Sequence, residues 1–209
     1  TKLYYTFKCV ASVGHIMNLP RKKLSIDVEN GFKPEFSIIP DENNLKTVNS
    51  IKALSRKYKN IILNNHFVQD DHSFSKKNVL RGIHFQHKKP QNQLLYLVEG
   101  KIFIVFLDLR PKSKSFKKKH SLILNSKNHM QIFQPAGVGS GYYVLSKQSH
   151  LIYKVSELFD KKNESGILWN DKMLNIKWPC KFPKLSSNDK KNSKLKDINL
   201  YKYRDLLKL

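Results

Sequence analysis

Cysteine is nearly missing from this chain of 209 residues, which holds only Cys9 and Cys180. Two thiols cannot build a disulfide framework, so a reducing, cytoplasmic setting is expected. Acidic residues are scarce as well: 16 Asp and Glu face 39 Lys and Arg, a formal net charge of +23. Long apolar runs are also wanting. The most apolar early stretch, residues 9–17, is interrupted by His15, is too short to span a bilayer and lacks a signal-peptide cleavage pattern. No membrane partner is expected. Internal repeats and zinc-finger spacings are absent too.

Such an excess of base first suggests nucleic acid. The lysines, however, are dispersed, alternate with Asn and Ser, and gather in loops and near the end of the chain; no helix with a basic face accompanies them. A solvated surface accounts for them better, and nucleic acid is not the expected partner. That field would still draw in an anionic ligand. A length of 209 residues with 40% hydrophobic content suits one globular domain with a substantial core.

The chemistry concentrates at Val79-Leu80-Arg81-Gly82-Ile83-His84-Phe85-Gln86. Residues two apart on a strand share a face, so alternation groups Gly82, His84 and Gln86 as a cavity floor, with Ile83 and Phe85 behind it. The bland reading of one strand histidine is a structural residue with satisfied hydrogen bonds. Next come Leu94–Val98 and Lys101–Leu109, read as a hairpin turning at Glu99-Gly100 and apolar on both faces, as where two sheets pack. His120–Leu124, Met130–Gln134, Gly141–Leu145 and His150–Val155 continue the series of short strands. Their spacing predicts an all-β sandwich or barrel.

His84 in its Gly-rich strand, followed by Gln134-Pro135-Ala136-Gly137-Val138-Gly139-Ser140-Gly141, resembles the two motifs of the cupin jelly-roll barrel. Gln86 and Ser140 stand where metal-binding cupins carry ligands, and one His with one Gln cannot complete a transition-metal site. Neither metal nor other cofactor is expected. Residues 67–86, Gly100–Phe103, Asp108–Arg110, Tyr153-Lys154, Leu168–Asp171 and Ile176–Pro179 narrow the resemblance to the dTDP-4-dehydrorhamnose 3,5-epimerase family. It extends over roughly residues 65–190, and more weakly over 41–64.

That resemblance implies an epimerase of a nucleotide-linked 4-keto-6-deoxy sugar. Such a reaction needs a base for the α-proton, stabilisation of an enolate, and an acid on the opposite face. By resemblance His84 is the base, Asp189 of Leu185-Ser186-Ser187-Asn188-Asp189 orients it, and Tyr153 is the acid. Taken alone, Tyr153 would read as a core tyrosine. Arg81 is implied as the phosphate contact, with Gln69, Gln86, Gln93 and Ser140 as further substrate-binding positions. Early strands are implied to pair with a partner subunit and lend residues to its site, hence a homodimer.

Departures from the family pattern are specific. Asn43 replaces an expected phosphate-binding Arg, and Ser140 a His. Gln93 and Ile104 replace a Lys and an Asp thought to pair beside the ketone; losing both avoids burying one unpaired charge. These changes keep open the alternative of a non-enzymatic sugar-nucleotide-binding or structural cupin. The expected organisation is residues 1–64 as divergent strands with a short helix at 48–59, 65–183 as the barrel, and 184–209 as a peripheral basic segment packing on or near it. Ile198–Leu207 is expected to close that segment as a short helix, and Pro111–Lys119 to form a solvated loop.

Overall fold

Strands whose two faces are both apolar need cover on both sides, and the architecture supplies it. The computed structural model describes residues 66–128 and 130–209, together with three short strands, β1 (Tyr5–Lys8), β2 (Lys23–Ser25) and β3 (Glu35–Ser37). The expected helix at 48–59 and the departure at Asn43 lie outside the described residues. Beyond them run β4 (Gln69–Lys76), β5 (Leu80–Gln86), β6 (Gln93–Glu99), β7 (Lys101–Asp108), β8 (Lys119–Asn125), β9 (Met130–Gln134), β10 (Val138–Val144), β11 (Gln148–Val155) and β12 (Glu164–Gly166).

Two five-stranded antiparallel sheets result, in the orders β1-β9-β6-β11-β4 and β12-β5-β10-β7-β8, with β2 and β3 paired separately. From β4 to β12 the chain changes sheet at every connection except β7 to β8. This is the jelly-roll sandwich expected. One local expectation is overturned: β6 and β7 are not a hairpin, because Glu99-Gly100 carries the chain from one sheet to the other. Gly100 permits this with φ +99°, where a Cβ would strike the Gln148 carbonyl and the Ser146 hydroxyl. Two apolar strands joined by a Gly turn look alike whether they pair side by side or face to face.

The inner core lies between the sheets and includes Leu97, Ile102, Ile104, Phe106, Ile132 and Leu151. A second core covers the outer face of the β5-containing sheet, where Ile83, Leu107 and Leu109 meet Leu195, Leu200 and Leu206. β7 therefore buries both its faces, which its sequence anticipated. The C-terminal segment packs on this face of the barrel: Leu195, Leu200 and Leu206 are almost wholly buried while its lysines stay outside. In place of one helix over 198–207 there are a 3₁₀ turn at Leu200–Lys202 and a single helical turn, Arg204–Leu207.

The lysine-rich loop after β7 is likewise more than a solvated turn. Asp108, fully buried, accepts hydrogen bonds from Arg110 Nε (2.9 Å) and Nη2 (2.8 Å) and from the Ser113 (2.7 Å) and Ser115 (2.6 Å) hydroxyls. Burial pushes its carboxyl up, but these donors outweigh burial and hold it below the usual range. The loop is pinned from inside while its lysines point to water.

Candidate active site

Strict alternation cannot place both Arg81 and His84 on one face, because they are three residues apart. The structure resolves this with a bulge. Ser140 of β10 lies opposite His84 and Tyr142 opposite Arg81, so two residues of β5 face one of β10. Gly82 makes the bulge possible: its φ is +97°, and a Cβ there would sit 2.6 Å from the Ser140 carbonyl oxygen and 2.7 Å from Gly141 Cα. Arg81, His84 and Gln86 consequently all line one cavity of about 480 Å³ between the sheets.

On one wall His84 Nε2 lies 2.7 Å from Asp189 Oδ1. Asp189 rides on the short helix Ser187–Lys190, whose start is capped by the Ser186 hydroxyl accepting from Asp189 N–H (3.0 Å). Its Oδ2 accepts from Ser186 Oγ at 2.6 Å, and its Oδ1 also accepts from Gly82 N–H at 3.1 Å. With Asp189 holding Nε2–H, the lone pair of neutral His84 is on Nδ1, 3.9 Å from Glu164 Oε1. Burial works to lower the His84 pKa, but the Asp189 hydrogen bond and charge, helped by Glu164, raise it above 6.5 on balance. Asp189 is shifted downward: burial would raise it, and the bonds from His84, Ser186 and Gly82 overcome that.

The facing wall belongs to the other sheet. Tyr153 comes from β11 and is half-buried, and its hydroxyl has no hydrogen-bond partner among the described residues. Burial first, and then the Asp71 carboxylate opposite it on β4, push the phenol up to about 12. The hydroxyl therefore keeps its proton at neutral pH. A nitrogen lone pair on one wall and a phenolic proton on the other can remove and return a proton on opposite faces of a bound carbon acid.

The remaining expected positions divide. Gln93 and Ser140 line the cavity, as does Ile104 in its apolar back wall with Leu95 and Leu151. Gln86 also lines it, yet its amide braces two loops, donating to the Lys89 (2.9 Å) and Leu158 (3.3 Å) carbonyls and accepting from Asp160 N–H (2.9 Å). Gln69 is not part of the lining. Its amide donates to Asp71 Oδ1 (2.7 Å) and accepts from Phe159 N–H (3.0 Å), so Asp71 reaches the cavity in its place.

Sequence reasoning missed Asp71, Ser73, Tyr142, Phe159 and Glu164, all of which line the cavity. The period of β4 marked Asp71 and Ser73 as inward residues, since 69, 71, 73 and 75 alternate with exposed neighbours. Glu164 carried no such signal within a polar stretch. Among the described residues no three His, Cys, Asp or Glu side chains converge as metal ligands.

Comparison with known proteins identifies the family. The family model described as dTDP-4-dehydrorhamnose 3,5-epimerase matches residues 52–197. The dTDP-4-dehydrorhamnose 3,5-epimerase of Shigella flexneri is 40% identical over 136 residues, 65% of this chain and 75% of that protein. Among solved structures, the dTDP-6-deoxy-D-glucose-3,5-epimerase of Legionella pneumophila Philadelphia 1, in complex with dTDP-4-keto-L-rhamnose, superposes with a TM-score of 0.65 at 33% identity. The match covers 69% of this chain and 79% of that one. The dTDP-4-dehydrorhamnose 3,5-epimerase of Bacillus anthracis str. Ames, with TDP and PPi bound, gives a TM-score of 0.61 at 33% identity over 79% of this chain and 90% of that one. With the family model spanning well over half of its length, this chain belongs to the dTDP-4-dehydrorhamnose 3,5-epimerase family.

Proposed function

We propose that the protein epimerises a dTDP-linked 4-keto-6-deoxy sugar. His84 takes the proton next to the ketone through Nδ1, Asp189 fixes the imidazole and stabilises the imidazolium, and Tyr153 returns a proton from the opposite wall. Arg81, the only Lys or Arg side chain lining the cavity among the described residues, holds the diphosphate. No helix among the described residues is long and apolar enough to cross a membrane. Cys180 is a free thiol, which suits work in a reducing cytoplasm. The working unit is a homodimer.

The observation that carries this reading is the pairing of the His84–Asp189 dyad with an unbonded Tyr153 hydroxyl across one cavity. A purely structural cupin has no need of a buried carboxylate held by Ser186 and Gly82 against a half-exposed imidazole. Because Gln93 and Ser140 offer neutral hydrogen bonds in place of charged ones, the enolate gains less stabilisation. Turnover is accordingly expected to be slow.

Solvent deuterium incorporation into a dTDP-4-keto-6-deoxy sugar, read by mass and position, tests the reading. His84→Ala should abolish exchange, a loss of about 10² to 10⁴ in rate, while binding of dTDP persists. Tyr153→Phe should still exchange the α-proton yet lose inversion. Equal exchange by the parent protein and His84→Ala would reject His84 as the base. No exchange by the parent with any such sugar would leave the non-catalytic cupin standing.

A further inference from the structure

Arg81 is exposed on its strand, so its position over the cavity depends on the hydrogen bonds that hold it. Its Nε–H donates to Ser75 Oγ at 3.0 Å and its Nη2 to the Phe74 carbonyl at 3.2 Å. That leaves the Nη1 edge of the guanidinium for a ligand. Ser75 Oγ is in turn 3.1 Å from the Tyr142 hydroxyl, which is 2.7 Å from Ser73 Oγ. Ser75, Tyr142 and Ser73 are buried, with exposures of 3%, 7% and 8%. Four side chains from three strands thus form one connected row under the cavity, and none of the roles assigned so far uses the last three.

The direction of the row follows from donor chemistry. Arginine has no acceptor, so Ser75 Oγ must accept from it and turns its own proton elsewhere. A phenol is a better donor than an alcohol, so the shorter contact is the one Tyr142 donates, to Ser73, and the longer is the one it accepts, from Ser75. The row then runs Arg81 to Ser75 to Tyr142 to Ser73. One hydroxyl proton is left over, on Ser73. In the reverse direction the leftover proton would be on Ser75, which does not line the cavity, and a buried donor would go unmet. Ser73 does line it.

We propose that Ser75 and Tyr142 are positioning residues for Arg81, and that the same row turns the Ser73 hydroxyl into the cavity as a donor to an oxygen of the bound sugar nucleotide. The row also occupies the proton of Tyr142, the second phenol of the cavity, and so leaves Tyr153 as the phenol able to donate. This rests on the reading of Arg81 as the diphosphate contact. A hydrogen bond to a charged group lost at either point corresponds to about a tenfold change in affinity.

Two readouts separate the proposal from that reading. The Arg81 Nε–H resonance, assigned by its disappearance in Arg81→Lys, reports the clamp without any ligand. It should be slow to exchange in the parent and in Ser75→Thr, and fast in Ser75→Ala. Calorimetry with dTDP and steady-state kinetics then read the consequence. Ser75→Ala and Tyr142→Phe should weaken dTDP binding and raise KM about tenfold, with kcat within about twofold and Ser75→Thr restoring affinity. Ser73→Ala should weaken dTDP binding similarly while leaving the Arg81 resonance protected. An Arg81 resonance unchanged in Ser75→Ala overturns the clamp, and dTDP binding by Ser73→Ala equal to the parent overturns the Ser73 donor. Equal falls in kcat and KM-independent loss of folded protein in Ser75→Ala and Ser75→Thr alike would mark a merely structural row. If the parent binds no dTDP, the diphosphate reading and the Ser73 donor fail together, while the Arg81 resonance still decides the clamp.

Discussion

A histidine that takes a carbon-bound proton must be neutral when substrate arrives, and burial alone would keep His84 so. Asp189 and Glu164 push the other way and win, which raises the pKa. His84 is therefore protonated at acid pH, and in the proposed role of base it would become competent only as pH climbs past a point above 6.5. An acid limb in kcat/KM with its midpoint above 6.5 is the expected profile. Asp189→Asn removes the largest raising influence, so the limb should move to lower pH while the plateau falls, because the imidazole loses its orienting partner. A limb that stays in place in Asp189→Asn would show that the pair does not set the titration. Tyr153, with its phenol near 12, should add no alkaline limb in the neutral to mildly alkaline range. Ile104 and Gln93 make a second residue-scale test. Both line the cavity, and Ile104 is 1% exposed. Ile104→Asp alone buries an unpaired carboxylate and should cost on the order of 3 kcal/mol of stability. Adding Gln93→Lys should recover part of that loss and raise turnover, a coupling that a double-mutant cycle in thermal unfolding and rate would expose.

Among the elements, the bulged strand β5 is the one on which the chemistry depends. Gly82 cannot take a side chain without pushing into Ser140 and Gly141 backbone, and its φ of +97° is unfavourable for any other residue. Gly82→Ala is expected to cost about 1 to 3 kcal/mol and to abolish exchange, since Arg81 and His84 would no longer share a face. Denaturant unfolding with the deuterium assay checks both; a stable, active Gly82→Ala would refute the account of the bulge. This strand also marks where sequence reading reaches its limit. Alternation placed His84 and Gln86 correctly on the cavity side, but the shift that brings Arg81 beside them depends on β10, which pattern within one strand cannot reveal. The same limit made Glu99-Gly100 a hairpin turn, when β6 and β7 belong to opposite sheets. Asp189 was legible only through the family motif, since nothing in a local reading of Ser186–Asp189 says that it reaches His84 across more than a hundred residues. The buried leucines of the C-terminal segment were masked by its eight basic residues, which composition weighs more heavily than spacing.

At the scale of the whole molecule, the net charge of +23 opposes any association of two copies, so a self-associating face has to be locally neutral and apolar. The outer face of the β4-β11-β6 region meets that demand. Phe74 and Val98 are exposed there, and His72 and His150 stack with ring centroids 5.1 Å apart. The charges nearby largely cancel: Lys154 Nζ lies 2.7 Å from Asp70 Oδ1, and Glu99 accepts from Gln148 at 2.9 Å with Lys76 on the neighbouring strand. Two copies meeting on this face in a two-fold arrangement would bury its apolar residues against each other. Their remaining surfaces would still repel, and salt screens that repulsion, with a Debye length of about 10 Å at 0.1 M. A homodimer of this kind should tighten as salt rises. A nucleic-acid complex, the other association such a charge suggests, must weaken with salt, because bound counterions are released on binding. Sedimentation or light scattering at micromolar concentration across a salt series therefore distinguishes the two, with Val98→Glu expected to shift the dimer towards monomer. A monomer at every salt concentration would remove the dimer, and a dimer indifferent to Val98→Glu would place its interface elsewhere.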